Sequence, residues 1–142
     1  MKFCIFCRII AGELPCSKVY EDSEVIAFLD LHPINPGHTL IIPKVHCQSL
    51  TELSPELFVK VSEVGQNIAK HLKKVISDCE GISLSLADGE VAGQEVPHVH
   101  LHVIPRRLAD GFGWKYPASY GQIAERAMLD QLAKSLSESL NK

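Results

Sequence analysis

Apolar positions along the chain recur with two periods, and these predict its elements. Val19–Glu21 and Val25–Leu29 are short runs rich in β-branched and aromatic residues, separated by the polar stretch Asp22-Ser23-Glu24. They predict two strands joined by a turn. Thr39–Ile42 predicts a third strand, ended by Pro43, which has no N–H for a ladder. Between them, His32-Pro33-Ile34-Asn35-Pro36-Gly37 predicts a loop, because two prolines and a glycine break regular structure. Ile82–Leu86 and His98–Ile104 predict a fourth and a fifth strand, the last stopped by Pro105. Helical spacing occurs in three places. Phe6–Ala11 predicts a short helical segment, stopped by Gly12 and Pro15. Leu57, Val61, Val64, Ile68, Leu72 and Val75 recur every three or four residues behind Ser54 as N-cap and Pro55 at the first helical position. They predict one long helix with a single apolar face. Ile123, Ala127, Leu132, Leu136 and Leu140 predict a C-terminal helix from about Ser119 to Leu140. Hairpin-like strand pairs on either side of one long helix imply an α+β fold with a mainly antiparallel five-stranded sheet.

Composition adds bounds to this picture. A chain of 142 residues predicts a single domain spanning 1–142. Hydrophobic residues at 46% and charged residues at 22% exclude disordered, collagen-like and coiled-coil classes. A net charge of −3 provides no basic field for nucleic acid or a membrane surface. Arg8 and Glu13 interrupt the apolar start, and no run approaches the ~18 apolar residues of a membrane span. The expectation is a soluble cytoplasmic protein. Five cysteines, an odd number with no secretory leader in view, argue against a disulfide framework. Cys4 and Cys7 form a C-x-x-C pair with no predicted strand before it, which favours zinc over a thioredoxin-like redox pair, provided two more ligands exist. Cys16, Cys47 and Cys79 read as packing residues.

The sequence holds seven histidines, three of them within five consecutive residues. On an extended strand His98, His100 and His102 project to one face, while Val99, Leu101 and Val103 project to the other. A polar strand face with unremarkable histidines is the bland reading. A three-histidine metal site is the second, since imidazole suits zinc. The third is nucleophilic catalysis, in which one neutral imidazole attacks and its neighbours grip an anionic substrate as charge redistributes. Small residues in Ala92-Gly93-Gln94 ahead of the strand, and the lack of Asp or Glu inside the triad, favour the third.

At these residues the chain resembles the histidine triad (HIT) superfamily, most closely its Hint-like and bacterial branch. His98 to Ile104 matches the His-φ-His-φ-His-φ-φ motif, where φ is apolar, and Ala92-Gly93-Gln94 matches ahead of it. Further matches are Cys4 to Gly12, Val25 to Asp30, Pro36 to His46, and Asp110-Gly111-Phe112-Gly113-Trp114. The resemblance implies the HIT fold and cleavage of an α-phosphate linkage, in a nucleoside phosphoramidate or a dinucleoside polyphosphate, by double displacement. His100 would be the nucleophile forming a nucleotidyl-histidine intermediate, and His102 would hydrogen-bond phosphate oxygens. His38 would orient the triad, Gln94 would contact substrate, Asp30 would bind ribose hydroxyls, and Phe6, Ile9 and Leu29 would flank the base, a purine. It also implies a structural zinc held by Cys4, Cys7, His46 and His98, no cofactor for the chemistry, and a homodimer in which the C-terminal segment reaches toward the partner's site. His32 and His71 lack motif support and read as surface residues. Three positions depart from the family pattern: Glu95 stands where Ser or Thr is usual, and Leu86 and Ala87 where Asn or Gln is usual. These departures motivate an alternative, a nucleotide-binding regulatory module with little catalysis.

Overall fold

In the computed structural model, which describes residues 4–141, the chain divides into two compact units, Met1–Phe112 and Gly113–Lys142. The first contains α1 (Ile5–Ile10), β1 (Lys18–Glu21), β2 (Val25–Leu29), β3 (Thr39–Pro43), α2 (Pro55–Val75), β4 (Gly81–Ser85) and β5 (Leu101–Arg106). The second contains α3 (Arg126–Leu140). The strands form one sheet in the order β1-β2-β3-β5-β4, with every neighbouring pair antiparallel. The α+β class and the five-stranded antiparallel sheet are those that the hydrophobic pattern predicts. No helix among the described residues is long and apolar enough to cross a membrane.

The pleat sorts the central strands into two apolar layers, because successive side chains point to opposite faces. Val25, Ala27, Ile41 and Val103 pack against Val61, Val64 and Ile68 of α2. Ile26, Phe28, Leu40 and Ile42 pack on the other face with Cys4 and Phe6 at the start of α1. Burying a side chain such as Ile41 contributes about 1.5–3 kcal/mol. Helix α2 starts where Ser54 Oγ accepts the Leu57 N–H at 3.3 Å, and Gly65 sets its distance from the sheet. A Cβ at Gly65 would lie 2.7 Å from Leu101 Cδ2. The helix therefore lies close enough to β5 that a side chain at this position would make Leu101 shift.

Two boundaries differ from the sequence expectation by more than a residue or so. Strand β5 begins at Leu101 rather than His98. Its ladder with β3 runs from Val103 to Leu101 and stops there, because the Pro43 carbonyl accepts the His98 ring and the Val99 N–H donates to Cys47 O. Helix α3 begins at Arg126 rather than near Ser119. Residues 117–122 instead form consecutive turns, with Tyr120 N–H donating to Pro117 O and Gln122 N–H to Ser119 O, and Gly121 at φ +88°. That left-handed conformation suits glycine and interrupts a helix. Leu132, Leu136 and Leu140 keep the predicted spacing along α3, and none of its residues is buried.

Candidate active site and metal centre

The sheet face opposite α2 carries the site. Phe28, Leu40 and His102 form a cross-strand row on β2, β3 and β5, and α1 lies over that face. A cavity of about 340 Å³ opens there. Its wall includes Phe6 and Ile9 of α1, Leu29 and Asp30 at the end of β2, and His38, His100 and His102. Seven residues singled out in the sequence are thus brought to one cavity. Although β5 starts late, the alternation persists through the triad: the His100 and His102 rings lie 4.8 Å apart, while Val99 is buried on the other side with Cys47 and Leu53.

Backbone groups assign a tautomer to each imidazole, since a carbonyl accepts and an amide N–H donates. The His98 carbonyl lies 2.7 Å from His100 Nδ1, so this nitrogen carries the proton and Nε2 keeps a free lone pair. The Ile34 N–H donates to His38 Nδ1 at 3.2 Å, which places the His38 proton on Nε2. That proton is donated to His102 Nδ1 at 2.9 Å, leaving His102 with an N–H at Nε2. The site therefore combines a ring nitrogen with a free lone pair on His100 and a hydrogen-bond donor on His102. Burial depresses the pKa of His38, partly offset by the Asp30 carboxylate. Burial, His100 and His38 push His102 down to about 4, against the pull of Asp30. His102 is consequently neutral at pH 7, as a relay of single donors and acceptors requires.

Asp30 is fixed at both ends: its N–H donates to His38 O at 2.9 Å, and its Oδ1 accepts the His32 N–H at 2.9 Å. Asn35, buried in the same loop, donates from Nδ2 to Pro105 O and to Asp110 Oδ2, each at 2.8 Å. Arg106 grips Asp110 through Nε at 2.6 Å and Nη2 at 2.8 Å, and this pairing holds the Asp110 carboxyl well below the usual carboxylate range. Nothing in the sequence pattern marks Asn35. Its signal is a buried amide in a Pro-rich loop, and that burial depends on tertiary packing. Cys16, read as a packing residue, and His32, read as a surface residue, also line the cavity. Gln94 is placed differently from the cavity residues. Its Oε1 accepts the Gly89 N–H at 2.7 Å and its Nε2 donates to Gln48 O at 2.8 Å, so the amide ties the 89–94 loop to the segment after β3.

A second cluster forms behind the triad. One ligand atom from each of Cys4, Cys7, His46 and His98 lies within 4.8 Å of the others. Cys4 Sγ is 3.5 Å from His98 Nδ1, and Cys7 Sγ is 3.3 Å from His46 Nδ1. A tetrahedral site with Zn–S of ~2.3 Å and Zn–N of ~2.0–2.1 Å has S···N edges of about 3.6 Å, so the spacing fits zinc. His98 Nε2 donates to Pro43 O at 2.9 Å, which turns the Nδ1 lone pair toward the sulfurs. Such a backbone contact is the usual partner of a metal-ligating imidazole. Burial and the adjacent Cys4 raise the Cys7 thiol pKa, a cost that a cation between the two sulfurs offsets.

Residues 11–109 match the HIT domain. An uncharacterised HIT-like protein of Borreliella burgdorferi is 50% identical over 113 residues, covering 79% of this chain and 81% of that protein. An adenosine 5′-monophosphoramidase of Schizosaccharomyces pombe is 36% identical, covering 84% of this chain and 90% of its own. An adenylylsulfatase of Arabidopsis thaliana is 38% identical over 75% of this chain and 54% of its own. A HIT family protein from Bacillus anthracis superposes with a TM-score of 0.87 at 41% identity, covering 96% of both chains. A zinc-bound histidine triad family protein from Mycobacterium smegmatis superposes with a TM-score of 0.75 at 34% identity, covering 94% of this chain and 98% of that one. The triad, the fold that carries it and these relatives agree: the chain belongs to the HIT domain family.

Proposed function

We propose that this protein cleaves an α-phosphate linkage of a nucleotide, in a phosphoramidate or a dinucleoside polyphosphate, through a covalent nucleotidyl intermediate on His100. The hydrogen bond from His100 Nδ1 to the His98 carbonyl carries this reading, because it frees Nε2 for attack beside the His102 donor. The Nε2 lone pair forms a bond to the α-phosphorus. The bond to the leaving group breaks, its electron pair departing with that group, which takes a proton from solvent. Water then attacks phosphorus, the P–N bond breaks back to Nε2, and the proton of water returns to solvent. The net change is hydrolysis to a nucleoside monophosphate and the protonated leaving group. His102 N–H supports the phosphate oxygens as charge builds, a contribution of several kcal/mol for such donors. His38 holds His102 in the donating tautomer. Asp30 accepts from the ribose hydroxyls, and Phe6, Ile9 and Leu29 provide an apolar wall for a purine. The named activities of the fission-yeast and plant relatives support a nucleotide substrate.

Cys4, Cys7, His46 and His98 would hold a structural zinc, supported by their spacing and by the zinc-bound mycobacterial relative. Four protein ligands close the tetrahedron, so zinc would crosslink α1 to the segments holding His46 and His98, and the chemistry would stay with the histidines. The assembly would be a homodimer, which the exposed leucines of α3 and exposed Leu84 on edge strand β4 support as surfaces for a second copy.

Replacing His100 with Ala or Asn tests the reading. The expected result is loss of turnover of an adenosine phosphoramidate with retained binding of adenosine monophosphate. Turnover that survives the substitution overturns it. Binding without product in the native protein would favour the regulatory-module alternative.

A further inference from the structure

Glu95 lines the same cavity as His100 and His102. Among the described residues its carboxylate has no hydrogen bond or ion pair, and no lysine or arginine lines this cavity. The acidic side chains on the wall are Asp30 and Glu95. Asp30 enters beside His38, at the His102 end of the row, because its N–H bonds the His38 carbonyl. Glu95 enters the cavity wall with Gly93 and Val96 on the segment that leads into His98, and His98 adjoins His100 rather than the His38–His102 pair. A nucleotide with its ribose at Asp30 and its α-phosphorus at His100 therefore directs its leaving group toward Glu95.

We infer that Glu95 makes this site selective for α-phosphate substrates whose leaving group is a positively charged amine, and selective against polyanionic leaving groups. The inference rests on the proposed cleavage at His100 and names which of its substrate classes the site takes. A polyphosphate or sulfate leaving group would set negative charge beside an unneutralised carboxylate. A phosphoramidate of an amine bearing a second, ammonium group would set a positive charge there instead. For an exposed pair several ångströms apart, in a medium between protein and water, the difference is about tenfold in rate. The selectivity is electrostatic, so it narrows with salt. Gln94 beside it is committed to Gly89 and Gln48, so Glu95 is the polar side chain that this segment brings to the cavity wall.

Three adenosine 5′-phosphoramidates of equal chain length, made from alkylamines ending in an ammonium, a methyl or a carboxylate group, test this on the full chain. Native kcat/KM should rank ammonium above methyl above carboxylate, with about tenfold between neighbours at low salt. Glu95→Gln should collapse the ranking, and Glu95→Lys should reverse it. Each ratio is internal to one variant, so a general loss of rate does not obscure it. Hydrolysis of the methyl compound with no charge ranking, or a ranking unchanged in Glu95→Gln, overturns the role of Glu95 alone. Failure of the native protein to hydrolyse any of the three, with each bound, overturns the cleavage reading and this inference together.

Discussion

His98 faces two sites at once: its ring turns Nδ1 toward Cys4 Sγ at 3.5 Å, and its carbonyl accepts His100 Nδ1 at 2.7 Å. The residue at the centre of the Cys/His cluster therefore also sets which nitrogen of His100 is free. Phe6, between the two cysteines in sequence, strengthens the link, because its ring meets His98 and His100 edge-on at 5.8 and 5.3 Å.

This link predicts the effect of removing metal. The protein should purify with about one zinc per chain. Chelation should lower its melting temperature by several degrees, since a lost crosslink of even ~1 kcal/mol shifts a domain of this size by about 2–8 °C. Cys4→Ser should reproduce the shift. Elemental analysis and thermal scans check it: metal-free protein with an unchanged melting temperature after chelation contradicts the zinc assignment.

The His38–His102 relay predicts a graded loss of rate. His102→Ala removes the N–H that the proposed mechanism directs at the phosphate and should lower kcat by about 10²–10³-fold, the usual cost of one such donor. Affinity for nucleoside monophosphate should fall much less. His38→Ala leaves the ring of His102 in place without its orienting donor and should cost less in kcat. Steady-state kinetics on the two variants decide between this order and its reverse.

The contrast between what was legible and what was not follows from the range of each interaction. Alternation of His98, Val99, His100, Leu101 and His102 is local, so it was readable, and the structure keeps it even where the ladder ends. The long helix was readable because Ser54, Pro55 and a three-to-four spacing act within one helix. The register that brings His38 to His102 joins residues 64 apart, and nothing local encodes it. The start of β5 differs from the sequence expectation for the same reason: the His98 ring, 55 residues away, takes the Pro43 carbonyl. The Asn35–Asp110–Arg106 network was invisible because an amide in a loop has no period. Helix α3 starts later than the apolar spacing predicts, because that spacing does not register a glycine in a left-handed turn.

Gly37 predicts a stability effect that carries into the site. Its φ is +90°, and a Cβ there would collide with Ile76 Cδ1 and come within 3.1 Å of Leu72 Cδ2. Gly37→Ala should therefore destabilise the fold by about 1–3 kcal/mol, combining left-handed strain with a clash in a packed region. His38 follows directly, so the variant should also lose activity at temperatures where it remains folded. Urea unfolding together with kinetics in the cold checks both. A variant as stable as the native protein contradicts the backbone account.

The buried imidazoles predict how stability depends on pH. Unfolded, a histidine titrates near ~6.5. Folded, His102 is pushed down to about 4 by burial, His100 and His38, with Asp30 opposing, and His38 is lowered by burial. Between those values the unfolded chain binds more protons than the folded one, so unfolding free energy rises with pH. The contribution is fully present above ~6.5 and is lost as pH falls through that window toward 4. Urea midpoints at pH 7, 5.5 and 4.5 should decline in that order. His102→Gln, which cannot protonate, should show a shallower decline over the same range. An equal slope in the variant would mean that other groups set the pH response, and that His102 is not held neutral by its place between His38 and His100.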